Sequence, residues 1–316
     1  MQLQKIEFRK EREFTGVFSD AIRFLKQNFK SLFSAIIVII GPLILLSGLA
    51  YSYMQTLMMS NSMAGLSGLG MFNQTYFVVL GVSYLLMLIN SVMLNSVVFN
   101  YMCLYQEKEA GERISVSEVA SRVWSNIGRV LGSLAMLLML LVAVSIVFGL
   151  IGLGFVSMGV VGGILIALGF VFGGMIYFPI FTYYLSAGFF VVVRDEQMIL
   201  SAFGKVRSHL SGNFWWTWLI LVVTLIVLGI VQMVFNLPAA ILTMMETFTR
   251  MRDISRGSGT GIAGETSILL IVCYTIGRFL TTCSYAVLHL VCGFNFLSQE
   301  EKHEGKGILS RIEEIK

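Results

Sequence analysis

VLGSLAMLLMLLVAVSIVFGLIGLGFVSMGVVGGILIALGFVFGGMIYFPIFTYYLSAGFFVVV, residues 130–193, runs for 64 residues without one Asp, Glu, Lys or Arg. A helix crosses the hydrocarbon core of a bilayer with about 20 apolar residues, so this run holds two crossings. The stretch GLIGLGFVSMGVVGG at 149–163 is the natural tight connection between them. Working outward, four more segments meet the same criterion, which places six spans at 32–53, 76–102, 130–152, 158–193, 214–235 and 267–296. The bulk numbers agree: 56% hydrophobic residues, 13% charged and a mean hydropathy of +0.82. The expected fold is all-α, with the 316 residues forming one polytopic transmembrane domain.

The basic residues set the direction of the spans. Lys5, Arg9, Lys10, Arg12, Arg23, Lys26 and Lys30 precede the first span, and Lys108, Arg113, Arg122 and Arg129 separate the second from the third. Arg194, Lys205 and Arg207 lie between the fourth and fifth, and Lys302, Lys306, Arg311 and Lys316 in the tail at 299–316. These four regions alternate correctly for one side of the membrane, whereas the other side holds only Arg250, Arg252 and Arg256. Excess Lys and Arg mark the cytoplasmic face, so both termini are expected there, and the net charge of +4 needs no nucleic-acid partner. Residues 1–30 lack a continuous apolar core and do not read as a cleavable signal peptide.

A short amphipathic stretch precedes each odd-numbered span. DAIRFLKQNFKSLF at 20–33 aligns with EVASRVWSNIGRVL at 118–131, pairing Asp20 with Glu118 and Asn28 with Asn126. FGKVRSHLSGNFWW at 203–216 joins them through Asn213 and Phe214. In the first, Ala21, Leu25, Phe29 and Leu32 share one helical face, with Arg23, Lys26 and Lys30 off it. Arg122 and Arg129, or Lys205 and Arg207, stand off the stripe in the others. This predicts three units, about 17–107, 115–197 and 198–298, each an interfacial helix feeding a transmembrane hairpin. The basic side chains either anchor the fold or bind anionic lipid, at about 1 kcal/mol per Lys or Arg near the surface.

The amphipathic segment ending in Asn28–Phe29, the repeated hairpins and the closing FNFLSQEEKHEGKGILSRIEEI at 294–315 form a pattern. It resembles an uncharacterised family of six-span bacterial inner-membrane proteins, common in the Bacteroidetes. It is more distantly similar to the membrane domain attached to some glycerophosphodiester phosphodiesterases. The resemblance implies a bacterial inner-membrane location and carries no activity or site residues with it. The phosphodiesterase's soluble catalytic domain has no counterpart in these spans, so that activity is not implied.

Within the sixth span, Thr275, Arg278, Thr282, Tyr285, His289 and Cys292 recur at spacings of 3, 4, 3, 4 and 3, a single stripe. An uncompensated charge at that depth costs at least about 2.5 kcal/mol, so Arg278 should face the protein interior or water. Asn90, Asn95 and Asn100 on the second span offer acceptors for its guanidinium. The stripe reads either as a polar cavity for a lipid headgroup, with Arg278 as anchor, or as an interhelical network that fixes packing. No acidic residue falls inside a predicted span, which disfavours ion-coupled transport. There is no HExxH, no acidic metal cluster and no Walker loop. Four cysteines without a CxxC pair read as buried side chains. No cofactor and no metal are expected. The chain therefore reads as a non-enzymatic membrane subunit or scaffold meeting lipids, protein partners or further copies of itself; the alternative is a transporter or lipid-handling protein built around Arg278.

Overall fold

The computed structural model describes residues 5–65, 74–109, 111–156, 158–255 and 268–305. Eight helices and no strand occur among them: α1 (Phe14–Gly65), α2 (Gln74–Glu107), α3 (Val116–Ser125), α4 (Ile127–Val156), α5 (Gly159–Asp195), α6 (Ile199–Leu210), α7 (Phe214–Ser255) and α8 (Ile268–Glu304). Six of these, α1, α2, α4, α5, α7 and α8, are long and apolar enough to cross a membrane. The chain is thus a multi-pass membrane protein.

The helices overrun the predicted spans. Residues 54–65 continue α1, and α7 runs on past the predicted end of the fifth span at 235, through Pro238, to Ser255. Pro238 removes one backbone donor, but the Ala, Leu and Met that follow are strong helix formers and carry the helix on. At 1.5 Å per residue, 42 residues of α7 would measure about 63 Å if straight, twice the hydrocarbon thickness.

The three amphipathic stretches differ. α3 and α6 are separate short helices, while residues 20–33 belong to α1 without a break. Asn126 interrupts the chain after α3, its N–H bonding Arg122 and Trp124 carbonyls. Gly212, with φ +87°, turns the chain after α6. No residue of that kind follows Asn28. The buried stripe of α1 is also rotated from the predicted one: Val17, Ala21, Phe24 and Leu32 are buried, whereas Phe29 is 52% exposed.

The chain divides into two compact units. Unit 1 comprises Met1–Ala35, Asn95–Ile226 and Ala286–Lys316; unit 2 comprises Ile36–Leu94 and Val227–Tyr285. Aromatic rings hold unit 1. Phe24 meets Tyr105 at 4.9 Å, Phe294 at 5.8 Å and Phe8 at 6.1 Å, while Phe190 packs on Phe99 at 5.1 Å and Phe296 at 5.9 Å. Unit 2 is built on close helix approach. A side chain at Gly48 would meet Thr275 at 3.1 Å, and one at Gly277 would meet the Asn236 amide at 2.8 Å. Small residues of this kind let transmembrane backbones approach closely. At Gly163 and Gly169 of α5 an added side chain would meet open space.

Arg12 ties the segment before α1 to unit 1. Its side chain is 1% exposed, and Nε donates to Asp20 at 2.7 Å. Nη1 donates to the carbonyls of Phe8 (3.0 Å) and Lys10 (2.9 Å), and Nη2 donates to that of Glu7. The guanidinium lies 5.1 Å from the Phe294 ring centre, and the Arg12 N–H donates to Ser298 at 2.7 Å. A planar fork of donors serves these acceptors; an ammonium on a flexible stem does not. Arg12→Lys is expected to cost about 2 kcal/mol, seen as a lower midpoint of thermal unfolding in detergent, while Arg9→Lys leaves it unchanged. An equal midpoint for both variants would show that the fork contributes nothing.

Candidate functional site

The predicted stripe of α8 is divided between the two units. Thr275, Arg278, Thr282 and Tyr285 belong to unit 2, as does Asn90; His289, Asn95 and Asn100 belong to unit 1. In unit 2, half-buried Arg278 lies 5.2 Å from the Tyr51 ring centre, a cation–π contact with α1. Asn90, expected to face Arg278, instead donates to Ser47 at 2.5 Å, because buried Ser47 is the nearer hydroxyl on the adjacent helix. Thr275 bonds Ser52 at 2.9 Å, and Thr282 returns its proton to the Arg278 carbonyl at 2.9 Å. Glu265, the last acidic residue before the sixth span and a sequence candidate to pair with Arg278, lies outside the described residues.

In unit 1, buried His289 pairs through Nδ1 with Ser186 at 3.0 Å, and Ser186 also donates to Asn95 at 3.4 Å. Ser186 was not singled out in the sequence, where nothing distinguishes it from other span serines. Asn100 donates to the Ser96 carbonyl at 2.8 Å and accepts from Asn126 at 3.2 Å. These groups are satisfied by one another, the arrangement that lets polar atoms lie in hydrocarbon. The four cysteines are free thiols.

The charged regions meet at unit 1. Arg129 of α4 pairs with Glu196 at 2.6 Å, and Arg122 of α3 with Glu107 at 2.5 Å. Arg194 holds both oxygens of Glu300 at 2.6 Å, and Lys205 bonds Asp195 (2.8 Å) and Glu300 (2.9 Å). The hydrogen bond to Asp195 and that to Glu300 hold the Lys205 ammonium charged, outweighing its partial burial. His209, Glu300 and Glu304 bring one possible metal-ligand atom each within 4.8 Å of one another. With both Glu300 oxygens already facing Arg194 and Lys205, a third cation there meets two fixed positive charges, and the group reads as a charge network.

Unit 1 also holds a cleft of about 890 Å³ walled by α1, α2 and the 108–116 segment. Lys5, Lys26, Lys30, Lys108 and Arg113 line it together with Glu109 and Glu112. Tyr101 donates to Asn28 at 3.1 Å and shares a short hydrogen bond with Ser31; Tyr105 donates to Gln27 at 3.2 Å. Lys5 caps the end of α2 by donating to the carbonyls of Gln106 (2.9 Å) and Lys108 (2.5 Å). Lys108 pairs with Glu112 at 3.0 Å and Glu118 at 2.8 Å. Lys26, Lys30 and Arg113 have no acidic partner within ion-pairing distance among the described residues. Of the seven interfacial basic residues read from the sequence, Arg122, Arg129 and Lys205 are ion-paired within the chain, Lys26 and Lys30 line the cleft, and Arg23 and Arg207 are exposed.

Compared with known proteins, the chain matches no family model, no curated protein and no solved structure. Its chemistry must be read from its own residues.

Glu118 shows how the cleft's rim is held. It accepts from Lys108 and closes a capping box with Ser115 at the start of α3. These bonds, the Lys108 one foremost, lower its carboxyl from the ordinary 4.5 to about 2. A carboxyl depressed on folding contributes above its ordinary value and loses that contribution as the pH falls from 4.5 towards 2. An NMR titration of the Glu118 side chain in micelles is expected to show a midpoint near 2, moving up in Lys108→Met. An unchanged midpoint in that variant would remove Lys108 as the cause.

Proposed function

We propose that this chain is a non-enzymatic scaffold of a bacterial inner membrane, with both termini cytoplasmic, that engages lipids and partner proteins through its charged end. The observation that carries the reading is the joining, within unit 1, of the four regions rich in Lys and Arg. Lys5 reaches the end of α2, Arg129 reaches Glu196 beyond α5, Arg194 reaches Glu300, and Lys302 reaches Asn213. Four regions that meet at one end are what an even number of crossings between them requires, and the positive-inside rule assigns that end to the cytoplasm. The same reading takes α1–α2, α4–α5 and α7–α8 as hairpins, the second and third entered through α3 and α6.

Two further features support a scaffold. Several polar side chains of the spans are engaged with one another, as in the Ser186–His289 and Ser52–Thr275 pairs, and supply packing rather than a reacting centre. α4 and α5 expose apolar side chains on many sides, Met139, Val142, Val160 and Phe172 among them, a surface suited to lipid and to neighbouring helices. The alternative, lipid handling around Arg278, draws on unit 2. There Tyr51 also accepts from Gln55 at 2.6 Å, and a smaller cleft of about 240 Å³ lies among Gln55, Thr243, Thr247 and Tyr274.

Cross-linking in intact membranes tests the scaffold. The 35.1 kDa chain is expected in adducts of higher mass, and Cys introduced at Lys108 or Lys302 is expected to be protected from an impermeant thiol reagent added outside the cells. A chain that stays solitary after cross-linking sinks the scaffold, and outside labelling at either position reverses the orientation.

A further inference from the structure

We infer that the basic cleft of unit 1 is a binding site for the headgroup of an anionic phospholipid, with Lys26 and Lys30 as its charged contacts. The inference deepens the scaffold reading and rests on it for the cytoplasmic leaflet that would supply the lipid. Four observations converge. The cleft is large, about 890 Å³, with five basic side chains on its walls against two acidic ones. The charges are not equally committed: Lys5 is held by two carbonyls and Lys108 by two carboxylates. Lys26, Lys30 and Arg113 keep their charge without a carboxylate among the described residues. Asn28, Ser31 and Tyr101, fixed by mutual hydrogen bonds, and Tyr105, bonded to Gln27, add polar atoms to the same wall.

The cleft's depth and its apolar members choose the lipid over a free anion. Lys30 lies two residues before the apolar run at 32–53, the level at which headgroups meet hydrocarbon. Phe29, Ile114 and Val116 line the cleft beside the lysines, and Phe29 is 52% exposed. A phosphate oxygen can accept from an ammonium while the glycerol and first acyl carbons cover the phenyl ring. A free phosphate ester uses only the first of these contacts.

The test uses the full chain in zwitterionic nanodiscs or detergent, titrated with phosphatidylglycerol and read by native mass spectrometry. Near a membrane surface each Lys contributes about a fivefold change in affinity, so Lys26→Gln with Lys30→Gln is expected to weaken phosphatidylglycerol binding by roughly 25-fold. Arg23→Gln, on the same helix but outside the cleft lining, is expected to weaken it clearly less than either single lysine variant. Both lysines are exposed, so the variants are expected to keep the wild-type unfolding midpoint, measured alongside. Equal weakening by Arg23→Gln overturns the site in favour of diffuse surface charge. Equal affinity for phosphatidylcholine overturns it in favour of nonspecific lipid adhesion. Binding of glycerol phosphate as tight as that of the lipid overturns the lipid assignment. None of these results bears on whether the chain cross-links to partners, so failure of the site and failure of the scaffold remain distinguishable.

Discussion

Hydrocarbon offers no hydrogen bonds, and this chain's structure follows from that. A backbone in such a solvent must satisfy itself locally, which a helix does and an open strand does not. The side chains obey the same rule. Ser52 donates to Gly48, Thr224 to Ile220, Thr243 to Ala239, Thr247 to Thr243, Thr275 to Ile271 and Thr282 to Arg278, each to a carbonyl one turn back on its own helix. Where a second helix is close enough, a hydroxyl has the choice of turning its single proton across instead, as Ser52 has towards Thr275 at 2.9 Å. The groups that cannot be satisfied so cheaply, the ionised ones, collect where the helices leave the apolar run, Arg278 against Tyr51 being an exception.

Much of that was legible in the sequence because hydrocarbon acts on composition. The uncharged run at 130–193 contains nearly all of α4 and of α5, and residue 32 marks the start of the apolar part of α1. The basic regions predicted to share a side do meet in unit 1. What composition cannot supply is the rotation of a helix about its axis. In a helix that is apolar all round, no face is marked as interior. Phe24, not Phe29, turned out to be buried, and Arg278 found Tyr51 while Asn90 found Ser47. The rotation in unit 2 is set instead by where backbones can touch, at Gly48 against Thr275 and at Gly277 against Asn236. Glycines elsewhere, such as Gly163 and Gly169, look the same in the sequence and touch nothing. Helix ends were the other blind spot: the fifth apolar span ends at 235, yet α7 runs on through Pro238 to Ser255.

The arginines and lysines of unit 1 divide by chemistry as well as by position. Arg12 and Arg194 are sunk among aromatic rings, Arg12 beside Phe294 and Arg194 at 5.1 Å from Phe190 and 5.6 Å from Phe296. Only a guanidinium, flat and weakly hydrated, can lie against a ring and still donate in its own plane to a carboxylate. Lysines occupy the margins, where a strongly hydrated ammonium keeps water or takes a partner of varied geometry. Lys205 shows the mixed case, inserted between Asp195 and Glu300 to complete a cluster that Arg194 began.

The balance of charge within unit 1 localises its chemistry. Around Arg194 the carboxylates of Asp195 and Glu300 are matched by Arg194 and Lys205, and the group is closed on itself. Around Lys26 and Lys30 the balance is not struck. Glu112 and Glu118 are engaged by Lys108, which leaves the α1 lysines facing a cleft of polar and aromatic side chains. Sequence composition contains both clusters and cannot tell them apart, since each is a handful of basic residues near the end of a span. The distinction arises only when folding assigns the acids: one set of cations receives its counter-charges from the chain, and the other must take them from the surroundings.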